Sequence, residues 1–158
     1  MVMSVMIEAK KDKLIHNDKI EVRKSILQGY GVFAKDFIKK GEILEECHLV
    51  EVPKIPYPNN KSEAYQHYEF VYPKGPIPTP DTTIHVLSLG FGSIYNSSYF
   101  PDDSNATWEN GDNIFIFKAI KDIKKDEEIL LYYANGDPSV KYINTTGKRT
   151  KPKVYVKK

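Results

Sequence analysis

The apolar residues of this chain come in many short runs cut by turn residues, with little helical periodicity sustained over any length. Short alternating runs bury one face each and so predict a mostly-β domain built from many brief strands. Lys19 to Lys24 alternates, with Ile20 and Val22 on one face, and reads as a strand; Val32-Phe33-Ala34 resumes extended structure after Gly29-Tyr30-Gly31. Glu42 to Glu46 and Leu49 to Val52 read as two more strands, the second stopped by Pro53, Pro56 and Pro58. Thr82 to Leu89, Ala106 to Glu109, Ile114 to Phe117 and Glu128 to Tyr132 complete the set, with Asn110-Gly111 as a hairpin signal.

Residues 53–82 hold seven of the ten prolines, which disfavours regular sheet over most of that insert. Within it Tyr65, Tyr68 and Tyr72 recur at helical spacing after Ser62-Glu63, so a short helix is expected there, with a strand as the alternative. Residues 1–14 carry no pattern and are expected to form a loose arm or a first short strand.

The segment from Leu89 to Ser98 is the oddest in the chain. Gly90, Gly92, Ser93, Ser97 and Ser98 permit close backbone approach, Leu89, Phe91 and Ile94 anchor it, and Asn96 offers an amide with donors and an acceptor. Taken alone, this also describes a buried turn with a satisfied asparagine. Two further stretches bear on the choice: Ser25 to Ala34, containing Gly29-Tyr30-Gly31, and Glu127-Glu128-Ile129-Leu130-Leu131-Tyr132-Tyr133.

Length and composition bound the rest. A chain of 158 residues suits one domain and buries about two thirds of its unfolded surface. No apolar run approaches the roughly 20 residues of a membrane span, and the residues after Met1 lack the charge and length pattern of a secretory leader, so an intracellular location, nuclear or cytoplasmic, is expected. One cysteine, Cys47, excludes an internal disulfide and any multi-cysteine zinc cluster, and the four histidines show no ligand spacing, so no metal is expected. Four Asn-x-Ser/Thr triplets read as chance in a chain without a leader. Nothing resembles a phosphate-binding loop or a hydrolase triad.

Net charge is +2, but unevenly spread. Seven basic residues and no acid follow Asp137; removing those seven from the 23 leaves 16 basic against 21 acidic residues in 1–137, a net of −5. An acidic body suits a basic peptide partner, and a basic tail suits nucleic acid or an acidic surface; a solvated tail without a partner is the plainer alternative.

In this order and at these separations, the three stretches resemble the signature of SET-domain protein lysine methyltransferases, over about Ile15 to Asn135. The likeness runs nearest to the small stand-alone viral members, the chlorella virus type, through Gly-Tyr-Gly-Val-Phe-Ala and Gly-Phe-Gly. It implies a SET domain at 15–137, with an arm at 1–14 and a basic segment at 138–158, in the family's small curled β-sheets with a knot-like C-terminal crossing. The activity implied is methyl transfer from S-adenosylmethionine to a lysine of a histone or histone-like tail, in a chromatin setting. A catalytically weak SET-fold module that binds peptide or nucleic acid is the alternative.

The resemblance also assigns residues. Gly29, Tyr30 and Gly31 would present backbone to the cofactor, Asn96 would hold its amino-acid end, and Tyr133 would be the catalytic tyrosine. Ser97 stands where the family has histidine, Asp126 replaces the usual glycine, and Tyr132 replaces the usual aspartate. Tyr68, Leu89 and Tyr95 are expected on the substrate side, and Tyr142, with Tyr155 behind it, against adenine. The viral relatives imply a homodimer, and an edge strand near Thr83–Leu89 is expected to pair with the peptide.

Overall fold

The protein is described here from a computed structural model, which covers residues 5–52, 69–73 and 83–133. In chain order the strands are β1 Val5–Ile7, β2 Ile20–Lys24, β3 Tyr30–Ala34, β4 Ile43–Val52, β5 Glu69–Pro73, β6 Thr83–Ser88, β7 Asn96–Ser97, β8 Ala106–Asn110, β9 Ile114–Ala119 and β10 Glu128–Leu131. A single 3-10 turn at Pro101–Asp103 is the helical structure among the described residues. The mostly-β expectation holds.

β4 is the spine. Its first half pairs antiparallel with β9, from Ile43↔Lys118 to His48↔Ile114, with a bulge between Ile43 and Glu45. Its second half, Leu49 to Val52, pairs antiparallel with β6, while β1 takes the other side from Val5↔Glu51 to Ile7↔Leu49. The two strands expected at 42–46 and 49–52 are therefore one. Changing partners midway lets Cys47 and His48 continue the ladder without a turn.

The larger sheet runs β5-β6-β4-β9-β8, with β1 on β4, and it curls. Phe70 of β5 packs edge-on against Trp108 of β8, with ring centroids 5.4 Å apart, although these strands are the two ends of the order. The Tyr72 hydroxyl tightens that closure, donating to the Gly111 carbonyl at 2.7 Å and accepting from the Asn113 amide at 3.1 Å. Phe115 and Phe117 fill the concave side, both fully buried. Each such side chain contributes about 2 kcal/mol by leaving water.

Two expectations are corrected. The helix expected through Tyr72 gives way to β5 over Glu69–Pro73, paired to β6 at every position; sheet pairing and burial of the Tyr72 ring outweigh the local tyrosine spacing. The earlier part of that run lies outside the described residues. Thr83–Leu89 is not an edge either, because β6 has β5 on one side and β4 on the other, so its backbone groups are already spent.

Asn110-Gly111 does mark a hairpin between β8 and β9. The left-handed residue in its turn is Asn113, at φ +61°, a conformation asparagine tolerates better than most residues.

The smaller sheet runs β2-β3-β10-β7 and places β10, the last strand among the described residues, between β3 and β7. β10 lies antiparallel to β3 and parallel to β7 through Leu130↔Asn96 and Leu131↔Ser97. The Asn105 side chain extends this pairing, accepting from the Leu130 amide at 2.8 Å and donating to the Glu128 carbonyl at 2.9 Å. A side-chain amide there substitutes for a strand neighbour. Residues 134–158, including the basic segment and any crossing beyond Tyr133, lie outside the described residues.

Candidate active site

The site is assembled where β7 meets β10 and the loop before β3. The side chain of Asn96 reaches into the Gly29-Tyr30-Gly31 loop. Its amide nitrogen donates to the Tyr30 carbonyl at 3.0 Å, to the Glu128 carboxylate at 2.8 Å and, at a longer 3.3 Å, to the Gln28 carbonyl. Two amide hydrogens thus serve three acceptors, one of them shared.

The glycines are required by this geometry. Gly29 sits at φ +49°, in left-handed territory. A Cβ on Gly31 would come within 2.0 Å of a Glu128 carboxylate oxygen and 2.9 Å of the Asn96 amide nitrogen. Glu128 therefore lies directly across the Gly31 backbone, its second oxygen accepting from the Ser25 hydroxyl at 2.9 Å. The result is a tight cluster rich in acceptors: two carbonyls and a carboxylate beside one amide.

Tyr133 straddles the other end of the same strand pair. Its amide donates to the Ser97 hydroxyl oxygen at 3.1 Å, and its own hydroxyl donates to the Tyr95 carbonyl. Ser97 is buried, and its hydroxyl donates to the Ser98 carbonyl at 3.0 Å. Ser98 anchors the junction again, its amide donating to the Leu131 carbonyl at 2.7 Å. Ser97 thus fastens the backbone of Tyr133. The Tyr133 ring stays half-buried, edge-on to Phe70 at 6.4 Å.

The structure thus brings Gly29, Tyr30, Gly31, Asn96, Ser97 and Tyr133 together. Tyr95 contributes its carbonyl; its ring is in the core, 1% exposed and stacked on Phe117 at 4.9 Å. Leu89 is an exposed residue at the start of the turn that precedes Asn96, its amide held by the His48 carbonyl at 2.9 Å. Tyr68 and Tyr142 lie outside the described residues. Sequence reading singled out neither Glu128 nor Ser25 as site residues. The available signal was the strand spacing that sets Glu128 opposite Phe33 and sends its side chain toward Gly31.

No group of three or more His, Cys, Asp or Glu side chains among the described residues could hold a metal ion.

A family model described as the SET domain matches residues 29–134. None of the curated proteins compared matches the chain. Among solved structures, a Plasmodium falciparum protein assigned as a histone methyltransferase is 33% identical, with a TM-score of 0.53 over 74% of this chain and 94% of that one. The methyltransferase domain of human PR domain-containing protein 2 is 17% identical, with a TM-score of 0.52 over 74% and 78%. ATXR5, solved in complex with a mono-methylated histone H3.1, is 14% identical, with a TM-score of 0.54 over 73% and 57%, and shares the fold. The chain belongs to the SET-domain family.

Proposed function

We propose that this SET-domain protein is an S-adenosylmethionine-dependent protein-lysine N-methyltransferase acting on basic, histone-like tails. The observation that carries the reading is the junction at β7, where Asn96 holds the Gly29-Tyr30-Gly31 loop and its neighbours Tyr95 and Ser97 hold Tyr133. SET-fold relatives assigned as methyltransferases support it, as does the histone H3.1 held by ATXR5.

The cofactor fits the residues present. Carbonyls of Gln28 and Tyr30 and the Glu128 carboxylate, gathered by the Asn96 amide, form an acceptor cluster whose further lone pairs suit an ammonium group, and the absent Cβ of Gly31 is what lets Glu128 and Asn96 pack against its backbone. Bound there, S-adenosylmethionine would supply a methyl group on a sulfonium that is already a good leaving group. The protein's work is then alignment and exclusion of water.

Tyr133 aligns the acceptor. Donating its hydrogen bond to the Tyr95 carbonyl fixes the phenol's rotation and so the direction of the oxygen's lone pairs. An oxygen so held orients a lysine amine and favours a polarised methyl in a dry site. The amine must be neutral to react, although a free lysine titrates at about 10.4; aromatic walls such as Phe70 disfavour its charged form. The net charge of −5 over 1–137 attracts a basic tail. The Gly-Tyr-Gly-Val-Phe-Ala and Gly-Phe-Gly runs support a relation to the small viral members, and a histone-like substrate accords with a nuclear location.

Titration calorimetry with S-adenosylmethionine, followed by transfer of labelled methyl to histone tails, tests the reading. Binding heat and label on lysine are expected. Heat without label on any basic substrate would make the protein a binding module, and neither would overturn the proposal.

A further inference from the structure

Behind the site lies a carboxyl group that the mechanism above leaves unused. Glu45 of β4 is 1% exposed, with its side chain under the turn formed by Leu89 to Ile94. One oxygen, Oε2, accepts from the Phe91 amide at 3.3 Å and faces His16 Nδ1 at 3.4 Å; the other, Oε1, has no hydrogen-bond partner among the described residues. The turn closes over it because Gly90 has no side chain: a Cβ there would fall 2.8 Å from Oε2. Burying a carboxylate costs several kcal/mol unless its surroundings answer the charge.

The groups facing Glu45 are few. His16 comes from the segment before β2 and packs edge-on against Phe91 at 5.1 Å, Cys47 comes from the same strand, and Tyr95 comes from the loop before β7. Ser88 of β6 stands behind Cys47. Among the described residues, His16 is the one ion-pair partner of this carboxyl. The Tyr95 hydroxyl is also buried without a closed hydrogen bond, and it lies close enough to the carboxyl for each to bear on the other's proton.

Tyr95 is therefore held at both ends. Its hydroxyl abuts Glu45, its ring is stacked on Phe117, and its carbonyl receives the Tyr133 hydroxyl. An aromatic residue gripped this way has two side-chain torsions and little slack, so a shift at one end is felt at the other.

We infer that Glu45 is a positioning residue for methyl transfer, acting through Tyr95 on the carbonyl that orients the Tyr133 hydroxyl, and that its ionised form sets the productive arrangement. This rests on the methyltransferase reading. An ionised Glu45 only accepts, so the Phe91 N–H points to it and fixes the turn, and the buried Tyr95 O–H is drawn toward it, which steadies the ring. A protonated Glu45 can donate from Oε1 toward the Tyr95 oxygen, which turns the Tyr95 hydroxyl away and loosens the pairing with His16. Burial, the largest influence, pushes the carboxyl above its ordinary range, against the Phe91 amide that donates to it and the nearby Cys47, Tyr95 and His16 side chains.

The test is the pH profile of kcat for wild type, Glu45→Gln and Tyr95→Phe, with KM, melting temperature and the ring resonance of Tyr133 followed in parallel. In wild type the Tyr133 resonance should move with the ionisation of Glu45, and log kcat should carry the same step on its acid side. Glu45→Gln should keep KM within about twofold, lower kcat about tenfold and lose both the step and the movement. Tyr95→Phe, which keeps the carbonyl, should lose them too and serves if the first variant does not fold. Wild-type kcat at every pH in Glu45→Gln, or a Tyr133 resonance that follows pH identically in all three proteins, would overturn the inference. If wild type transfers no methyl at all, the methyltransferase reading fails, while the resonance still decides whether Glu45 and Tyr133 are coupled.

Discussion

The Glu128 carboxylate binds the Asn96 amide at 2.8 Å across the backbone of Gly31, joining two segments that lie 32 positions apart in the chain. Asn96 thereby ties the glycine loop, β7 and β10 into one unit. Replacing it with Ala removes its bonds to Tyr30 and Glu128 and strips a partner from a carboxylate. Asn96→Ala should lose about 1–3 kcal/mol of stability and bind S-adenosylmethionine at least about tenfold more weakly. Calorimetry and thermal melting check both; unchanged affinity would remove Asn96 from the cofactor site.

Gly31→Ala probes the same junction from the other side. Its Cβ would sit 2.0 Å from the Glu128 oxygen, so the carboxylate must swing away and give up Asn96, Ser25 or both. Cofactor affinity should fall with a stability loss of about 1–3 kcal/mol. Glu128→Ala in the same background should recover part of that stability, since it clears the obstruction. A double variant no more stable than Gly31→Ala would show that the clash is absorbed elsewhere.

Asp126 adopts φ +69°, a conformation glycine takes more readily, and its carboxylate pairs with Arg23 at 2.8 Å on the surface. Asp126→Gly should be close to neutral: relief of about 1 kcal/mol of backbone strain is offset by an exposed ion pair worth about 0–1 kcal/mol. Asp126→Ala keeps the strain and loses the pair, and should be the less stable by about 1 kcal/mol. Equal melting temperatures for the two variants would contradict this.

Glu42 gives a pH dependence of known sign. The Lys39 amide, the Lys19 ammonium and the Asn17 amide hold its carboxyl below the ordinary value. Such a group contributes stability that is present above its unfolded pKa, about 4.3, and is lost as pH falls through the lower folded value. The margin of wild type over Glu42→Gln should therefore be largest near neutrality and close as the solution is acidified, staying within about 1 kcal/mol because the pair is half-exposed. Denaturant melts from about pH 7 down to about pH 3 measure it, and a margin that widens toward acid would reverse the sign.

Much of the architecture is legible in the chain because local alternation and long-range pairing agree. Val32-Phe33-Ala34, Ile114 to Phe117 and Glu128 to Leu131 are short apolar runs bounded by turn residues, so they read as strands before any partner is known, and the last two are buried on both sides. Agreement fails where partners decide. Tyr72 has helical spacing to Tyr68 yet lies in a strand, since β6 supplies a ladder and Gly111 an acceptor for its hydroxyl. Cys47 and His48 look like a gap between strands and are not, because β9 hands over to β6 at that point.

The site divides the same way. Gly31 and Asn96 stand out by residue type, as glycine between apolar residues and amide among small ones. Glu128 and Glu45 do not, since a glutamate in a charged run or in an alternating strand has no local mark of burial or reach. Their roles come from contacts made across the fold, to Gly31 and Asn96 in one case and to Phe91, His16 and Tyr95 in the other.

Transfer of labelled methyl from S-adenosylmethionine to histone tails, wild type against Tyr133→Phe, bears on the central claim most directly. The Tyr133 hydroxyl meets the Tyr95 carbonyl beside the Asn96 junction, so its removal should lower kcat by about 10–1000-fold while cofactor affinity stays within about twofold. Labelling by Tyr133→Phe at the wild-type rate would contradict the account.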